Sequence, residues 1–383
     1  MALATTAEAA GPAIAGRSDW LFLSAALVAA ALLGALVLLD GQPASAALIA
    51  LGFALGVAFF KAEFSFTAAW RRFIARGEAG GLIGAFILIA VAAVAIVPVA
   101  ALVPGFGGAI APLGPSLVIG AFVFGVGMQL ANGCGSGTLY TVGSGAGRML
   151  IALFFFIVGS VIGSLQLPAF LALGGVDPIV ASHYLGPWGG LAVTIISLAA
   201  AAGTVIAIAR RRGANVTPSR TIIIGAIAIG LISIGVFLAG GHPWSVTFGF
   251  TVWGGKIAGA LGLDLAGHAF WQWPGPKRAL ADSVLSDTSS LTDLGMIFGA
   301  MAAAAAMRPF ARTQWPPLGS LLAAALGGLL MGWGARVGFG CNIGAFVGGV
   351  ASGSLHGWVW FAAALAGCAV GIRLRPWFGL SRE

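Results

Sequence analysis

GVGMQLANGCGSGTLYTVGSG, residues 125–145, decides how the chain is read. The run holds seven glycines and one cysteine. It sits in a 383-residue chain that is 59% hydrophobic and only 8% charged, with a mean hydropathy of +1.03. A soluble domain carries about a quarter of its residues as charges, so that class is excluded. Apolar runs of about 17–25 residues recur, the length a helix needs to cross the hydrocarbon core. The alternating segments of about ten residues expected of a membrane β-barrel are absent. The sequence predicts an all-α integral membrane protein in which residues 125–145 interrupt a span.

Ten spans are predicted, at 20–39, 44–60, 79–103, 114–147, 148–172, 188–209, 221–240, 294–307, 318–355 and 357–372. The fourth and ninth are broken by glycine-rich stretches. Residues 61–78 and 242–263 read as short or oblique pieces. The run 294–307 is short for a span and is expected to begin in the polar segment before it. The net charge of +8 is not a nucleic-acid signal, because the arginines gather at the ends of apolar runs. Arg71, Arg72 and Arg76 form one group, and Arg210, Arg211, Arg212 and Arg220 a second. Arg308 with Arg312, and Arg373 with Arg375, form two more. Ten spans place all four on one side, the cytoplasmic side by the positive-inside rule, with both termini there. The linker 264–293, with Asp264, Asp282, Asp287 and Asp293 against Lys277 and Arg278, then falls outside. The first sixteen residues lack the order of a cleaved leader. Three cysteines without a CxxC pair predict neither a disulfide framework nor a zinc site.

The opening stretch has a second copy. At an offset of 207, Gly125, Gly127, Gly133, Cys134 and Gly137 fall on Gly332, Gly334, Gly340, Cys341 and Gly344. At 208, Gly159 and Gly163 fall on Gly367 and Gly371. Glycine is common in this chain, so the weight rests on matching one of only three cysteines. Phe64-Ser65-Phe66-Thr67 pairs more faintly with Trp244-Ser245-Val246-Thr247. The span count runs one copy inward and the other outward, so residues 20–172 and 188–372 form inverted halves of one membrane domain, joined by an outer connection at 173–187. Inverted repeats with paired broken spans mark transporters whose substrate site lies near the bilayer midplane.

A glycine inside a helix costs about 1 kcal/mol relative to alanine, so Asn132–Gly137 is expected to unwind. Such backbone is tolerated in a membrane only where protein or a cavity surrounds it. A helix restarting near Ser136–Thr138, with Ser136 or Thr138 as N-cap, turns free N–H groups toward the break. Gly340-Cys341-Asn342-Ile343-Gly344 does so from the other copy. Two such ends suit an anion, and neither motif holds a carboxylate or a metal-ligand cluster. Thiols are weak, soft donors, suited to a sulfur-bearing anion as long as Cys134 and Cys341 stay protonated. Packing alone is the competing explanation for each cysteine; the mirrored pair favours function, whereas Cys368 in its unbroken span favours packing.

GCGSGTLYTVGSG (133–145) and GFGCNIGAFVGGVASGSLHGW (338–358) resemble the two sulfur-transport motifs of the YeeE/YedE family, and KAEFSFTAAWRR (61–72) resembles its short re-entrant element. The resemblance covers nearly the whole chain. It implies an inner-membrane transporter that takes up thiosulfate or a related sulfur compound through an hourglass-shaped inverted repeat. It further implies a line of cysteines that passes the anion on by S–H hydrogen bonds, and cytoplasmic carriers of the TusA type as partners. The family's N-terminal element carries a third cysteine where this chain has Ser65. Ser65 is then a hydroxyl station, a sign of a harder oxyanion such as sulfite, a lost step, or an ordinary helix-end cap.

The expected substrate site is therefore Cys134, Cys341 and Ser65, with backbone from Gly133, Gly135, Ser136, Gly137, Thr138, Gly340, Asn342, Ile343 and Gly344. No cofactor, metal or enzymatic activity is expected. Arg336 either balances the anion or snorkels to the inner surface. Arg148 reads as a membrane-surface anchor, Lys61 with Glu63 as an interfacial pair, and His356 as a membrane edge. His183, His242 and His268 read as solvated, and Trp271 and Trp273 as an aromatic belt. The alternative functions are a thiol redox enzyme or sensor cycling Cys134 with Cys341, and a purely structural subunit. No nucleotide-binding loop is present to drive transport.

Overall fold

The computed structural model describes residues 19–307 and 316–382, so the expected basic pair Arg308 and Arg312 lies outside the described residues. In chain order the helices are α1 (Trp20–Leu39), α2 (Pro43–Ala62), α3 (Phe66–Arg76), α4 (Gly80–Leu102), α5 (Pro115–Ala131), α6 (Gly135–Gly143), α7 (Gly147–Leu171), α8 (Ala181–Arg211), α9 (Arg220–Gly240) and α10 (Thr247–Ala260). Two short helices, α11 (Ala269–Gln272) and α12 (Pro274–Ala281), precede α13 (Thr288–Met307) and α14 (Leu318–Val337). A wide π-type turn at Asn342–Val347, α15 (Gly348–Ala351) and α16 (Leu355–Leu374) complete the fold. No strand occurs among the described residues. Ten helical segments are long and apolar enough to cross a membrane, as the sequence predicts.

Local chemistry sets the boundaries. Pro43 and Pro115 occupy the first turns of α2 and α5, where the missing N–H costs nothing. Ser65 and Ser219 cap α3 and α9 through their hydroxyls. The piece expected at 61–78 becomes α3, eleven residues with one buried face, and the piece at 242–263 becomes α10. The kink at Gly186 (φ 68°) separates the first turn of α8 from its span. The short run 294–307 does begin earlier, at Thr288. That moves Asp293 from the expected outer linker into a helix, fully buried.

Glycine sets the distances between the long helices. A Cβ at Gly299 of α13 would overlap the backbone of Phe53 in α2. Gly125 lies against the backbone of Ala364 and Gly332 against that of Phe156; Gly159 lies against Leu329 and Gly367 against Phe122. Within each of these two pairs the partners are related by the same offsets of 207 and 208 that relate the two glycine motifs. Backbones this close gain dispersion contacts that lipid tails would not improve on.

Gly299→Ala is expected to lower the midpoint of thermal unfolding in detergent, at a cost of about 1–3 kcal/mol from overpacking. Gly203→Ala, in α8 with nothing within 4 Å, is expected to leave it unchanged or raise it. Equal midpoints for the two variants would contradict the packing argument.

Candidate functional site

The first break is three residues long. α5 ends at Ala131, Asn132 takes a left-handed conformation (φ 61°), and α6 restarts at Gly135. The second runs from Gly338 to Cys341, with Phe339 at φ 64° and Gly340 at φ 148°. Asparagine adopts this region readily, whereas phenylalanine does so only when its surroundings enforce it. A Cβ at Gly340 would stand 2.8 Å from Ala345 N, so the second break also needs glycine for space. The breaks do not lie at one depth. Gly338 packs on Gly120 near the start of α5, while Asn132 follows its end, about 18 Å further along the axis. The extended residues after each break turn back toward the other.

The two cysteine segments meet as a result. A Cβ at Gly135 would stand 3.2 Å from Cys341 Sγ, 3.5 Å from Thr247 Cγ2 and 3.6 Å from Val246 Cγ1. Cys134 itself, rather than the expected Ser136 or Thr138, is the N-cap of α6. Its sulfur accepts from Gly137 N at 3.3 Å and lies 3.5 Å from Ser136 Oγ. Thr138 Oγ1 donates to Cys134 O at 2.8 Å, and Gly133 packs beside Met149 and Thr138. On the other side Cys341 stands as the cap of the wide turn, its sulfur making no cap hydrogen bond, and Gly344 faces Ser245. All three cysteines are free and buried. Cys368 Sγ donates to Gly125 O at 3.4 Å, a packing contact.

Two buried polar side chains belong to the cysteine segments and to α3: Asn342, expected only for its backbone, and Thr67, which was not expected. Asn342 is fully buried, and both its amide nitrogen and its amide oxygen lack a partner among the described residues. Thr67, 1% exposed, turns an otherwise unpartnered hydroxyl toward Cys134. Ser65 is the N-cap of α3, its Oγ accepting from Ala68 N at 3.2 Å. The α3 residue that reaches the sulfur is therefore one helical position beyond Phe66.

Below Cys134, three arginines surround the end of α5. Arg148 donates to Leu130 O at 2.9 Å, to Ala131 O, and to Ser320 Oγ at 2.8 Å. Arg375 donates to Gln129 O at 2.6 Å, and Arg71 to Asn132 Oδ1 at 2.6 Å. No carboxylate pairs with any of them among the described residues. They satisfy the carbonyl end of a helix stopped inside the protein and oppose its negative dipole. Arg148 is therefore not a membrane-surface anchor.

Other expectations are corrected by burial. His356 is 2% exposed and hydrogen-bonded to Ser354 at 2.8 Å, inside the protein and not at its edge. Trp271, 1% exposed, donates to Ser164 Oγ at 3.2 Å, so it is core and not belt. Arg336 is held over the rings of Phe248 and Phe270, 5.7 and 5.4 Å from their centroids. Neither of its expected roles describes these aromatic contacts. His183, His242 and His268 are exposed, as expected.

A family model described as Sulphur transport matches residues 61–370. The chain belongs to this sulfur-transport family. Among individual relatives, it is 36% identical over 155 residues to the probable transporter YedE of Salmonella typhimurium. That match covers 40% of this chain and 35% of YedE, so the chain spans about a third of that relative's length. It is 28% identical over 257 residues to the thiosulfate transporter TsuA of Spirochaeta thermophila, covering 63% of this chain and 72% of TsuA. For TsuA of Escherichia coli the figures are 27% over 262 residues, 63% and 69%. The region shared with the sulfur-transport family holds both breaks, both motif cysteines and α3; α1 lies outside it. With ten candidate spans, the chain is a multi-pass membrane protein.

Arg148→Met is expected to destabilise this family member by about 2–3 kcal/mol, because it leaves buried carbonyls without a charged donor. The measurement is the thermal midpoint in detergent, with the exposed Arg210→Met as control; an unchanged midpoint would show that water replaces the guanidinium.

Proposed function

We propose that this protein is a transporter for thiosulfate or a similar small sulfur-containing anion, which it carries inward across the bacterial inner membrane. The observation that carries the reading is the meeting of Cys134 and Cys341 across Gly135, together with the buried, unpartnered amide of Asn342, next in the chain to Cys341, and the unpartnered hydroxyl of Thr67. Buried polar groups without partners are uncommon. An anion between the sulfurs gives each a role: S–H from the cysteines, N–H from Asn342 and O–H from Thr67. The backbone of Ser136, Gly137 and Thr138 on one side, and of Ile343 and Gly344 on the other, adds the positive ends of two short helices. The TsuA relatives are named for thiosulfate transport, which agrees with this donor set.

The anion passes from Cys341 to Cys134 and then past Thr67 toward the arginine-rich end of α5. In this path Thr67 takes the hydroxyl role expected of Ser65, whose own oxygen is committed to capping α3. The arginine-rich end faces the cytoplasm, both termini lie on that side, and a carrier of the TusA type receives the sulfur there. Arg336 lies off the path.

Uptake of radiolabelled thiosulfate by cells lacking other routes tests the reading. Cys134→Ala and Cys341→Ala are expected to abolish uptake. Asn342→Ala is expected to reduce it by about 10- to 100-fold, the loss of one hydrogen bond to a charged ligand. Cys368→Ala is expected to retain it. Full uptake in both motif-cysteine variants would remove the mechanism. A Cys134–Cys341 disulfide that forms on adding thiosulfate, detected by thiol counts with and without reductant, would favour redox cycling instead.

A further inference from the structure

The transport path leaves a buried carboxyl group without a role. Asp293 is fully buried within α13, about 8 Å from the start of that span. Neither of its carboxylate oxygens has a hydrogen-bond partner among the described residues. Ionisable groups inside membrane segments are costly and mark ion or proton pathways, and a carboxylate without a cation or donor is the most costly kind.

Its neighbours connect it to the site. A Cβ at Gly249 of α10 would stand 2.7 Å from Asp293 Oδ2. Two residues earlier on α10, Thr247 contacts the position of Gly135, where Cys341 Sγ also lies. Asp293 is close enough to Cys341 for the two to interact electrostatically. Asp287, just before α13, and Ser290 and Asp293 within it recur at intervals of three, which places them on one face of the helix. Asp287 accepts from Ser290 N and Ser290 Oγ, both at 2.7 Å, and Ser290 Oγ accepts from Trp253 Nε1 at 2.9 Å. A line of polar groups thus leads from the segment before α13 to Asp293.

The other titratable groups on the elements packed against α13 do not neutralise it. Lys256 on α10 directs its ammonium to Leu280 O and Asp282 O. Tyr140 on α6 neighbours Cys134 and Glu63. Lys61 stands at the end of α2, and Asp19 caps α1 at the opposite end of α13, where its N–H donates to Ala305 O at 2.8 Å. Asp287 is the titratable group that acts on Asp293, Asp293 in turn acts on Cys341, and neither neighbour is a cation. Burial raises the Asp287 carboxyl from its ordinary value, against hydrogen bonds from Ser290 and Ser289 that lower it.

We propose that Asp293 is a proton-binding station that couples anion transport to proton entry. The inference rests on the transport reading above. An anion arriving at Cys341 repels a carboxylate at Asp293 and so requires that carboxyl to be protonated; by reciprocity, a proton on Asp293 strengthens anion binding. The proton enters along Asp287 and Ser290, stays while the anion occupies the Cys341 end, and leaves after the anion has moved past Cys134. One proton with each divalent anion halves the charge moved against an inside-negative potential.

The test uses purified full-length protein in liposomes containing a pH-sensitive dye, with radiolabelled thiosulfate outside. Wild type is expected to acidify the lumen as thiosulfate enters. It is also expected to raise thiosulfate accumulation up to about tenfold per unit of inward pH gradient, for one proton per anion. Asp293→Asn is expected to retain thiosulfate exchange under symmetric conditions and to lose both acidification and gradient stimulation. Asp293→Glu is expected to restore part of each. Thiosulfate entry in wild type without acidification overturns the coupling while leaving the transport reading intact, and needs no variant to fold. Acidification that persists in Asp293→Asn overturns the assignment to this residue. Absence of thiosulfate exchange in wild type overturns the transport reading and the coupling with it.

Discussion

A chain interrupted inside a bilayer must find partners for the backbone groups that the interruption releases. At the first break those groups are the carbonyls at the end of α5 and the N–H groups at the start of α6. The two sets are treated differently. Arg148 and Arg375 take the carbonyls of Gln129, Leu130 and Ala131, while Arg71 fixes Asn132. The N–H groups of α6 turn to sulfur, a weak acceptor, with Gly137 N on Cys134 Sγ. Strong donors are spent on the side that needs neutralising, and the side facing the second break keeps donors that a better acceptor can claim.

This division depends on rigid neighbours. Asn132 and Phe339 both hold left-handed backbone, and Phe339 keeps it only because the surrounding helices leave no alternative. The enforcement comes from glycine contacts. Gly338 packs on Gly120, Gly125 on Ala364 and Gly332 on Phe156. Each replaces a side-chain layer by direct backbone contact, which removes the space in which a broken span would refold. The glycines that appear to weaken the helices therefore hold the breaks in place from outside.

The spans were legible because hydropathy over a membrane-length window is a strong signal, and the approach of Cys134 and Cys341 that makes the candidate site was legible where two rare cysteines repeat in matching glycine settings. What failed to show was the environment of single polar residues. Arg71 and Arg72 are adjacent in sequence and read as one surface cluster. On a short amphipathic helix, however, consecutive residues point about 100° apart, so Arg71 is buried at 3% while Arg72 is half exposed. Trp271 reads as a belt residue because its polar flanks lie outside the long spans, yet Gly255 leaves room for its ring in the core. Asp293 reads as linker because Thr288, Ser289, Ser290 and Thr292 depress the local hydropathy. The hydroxyls of Ser290 and Thr292 bond to the cap residue Asp287 and to Thr288 O, and so cost less in the membrane than a hydropathy scale assigns. Thr67 is hidden by its neighbour Ser65, the position at which the family resemblance leads one to expect a relay group, although a cap residue commits its oxygen to its own helix.

The donor set also bears on which anions the site accepts. Thiols are weaker donors than hydroxyls or ammonium groups, so two thiols, one amide and one hydroxyl replace the hydration shell of a strongly hydrated oxyanion poorly. An anion with a terminal sulfur loses less on leaving water, because that sulfur is itself a weak acceptor and polarizes well against a thiol. On the proposed reading, selectivity would arise from what the site withholds: the arginines that would bind any anion tightly are occupied by the carbonyls of α5, and discrimination would fall to the soft donors between the breaks. A site with free guanidinium groups at that position would bind sulfate and thiosulfate alike and release neither quickly. On the same reading, keeping the strong positive charge one helix end away would attract the anion without trapping it.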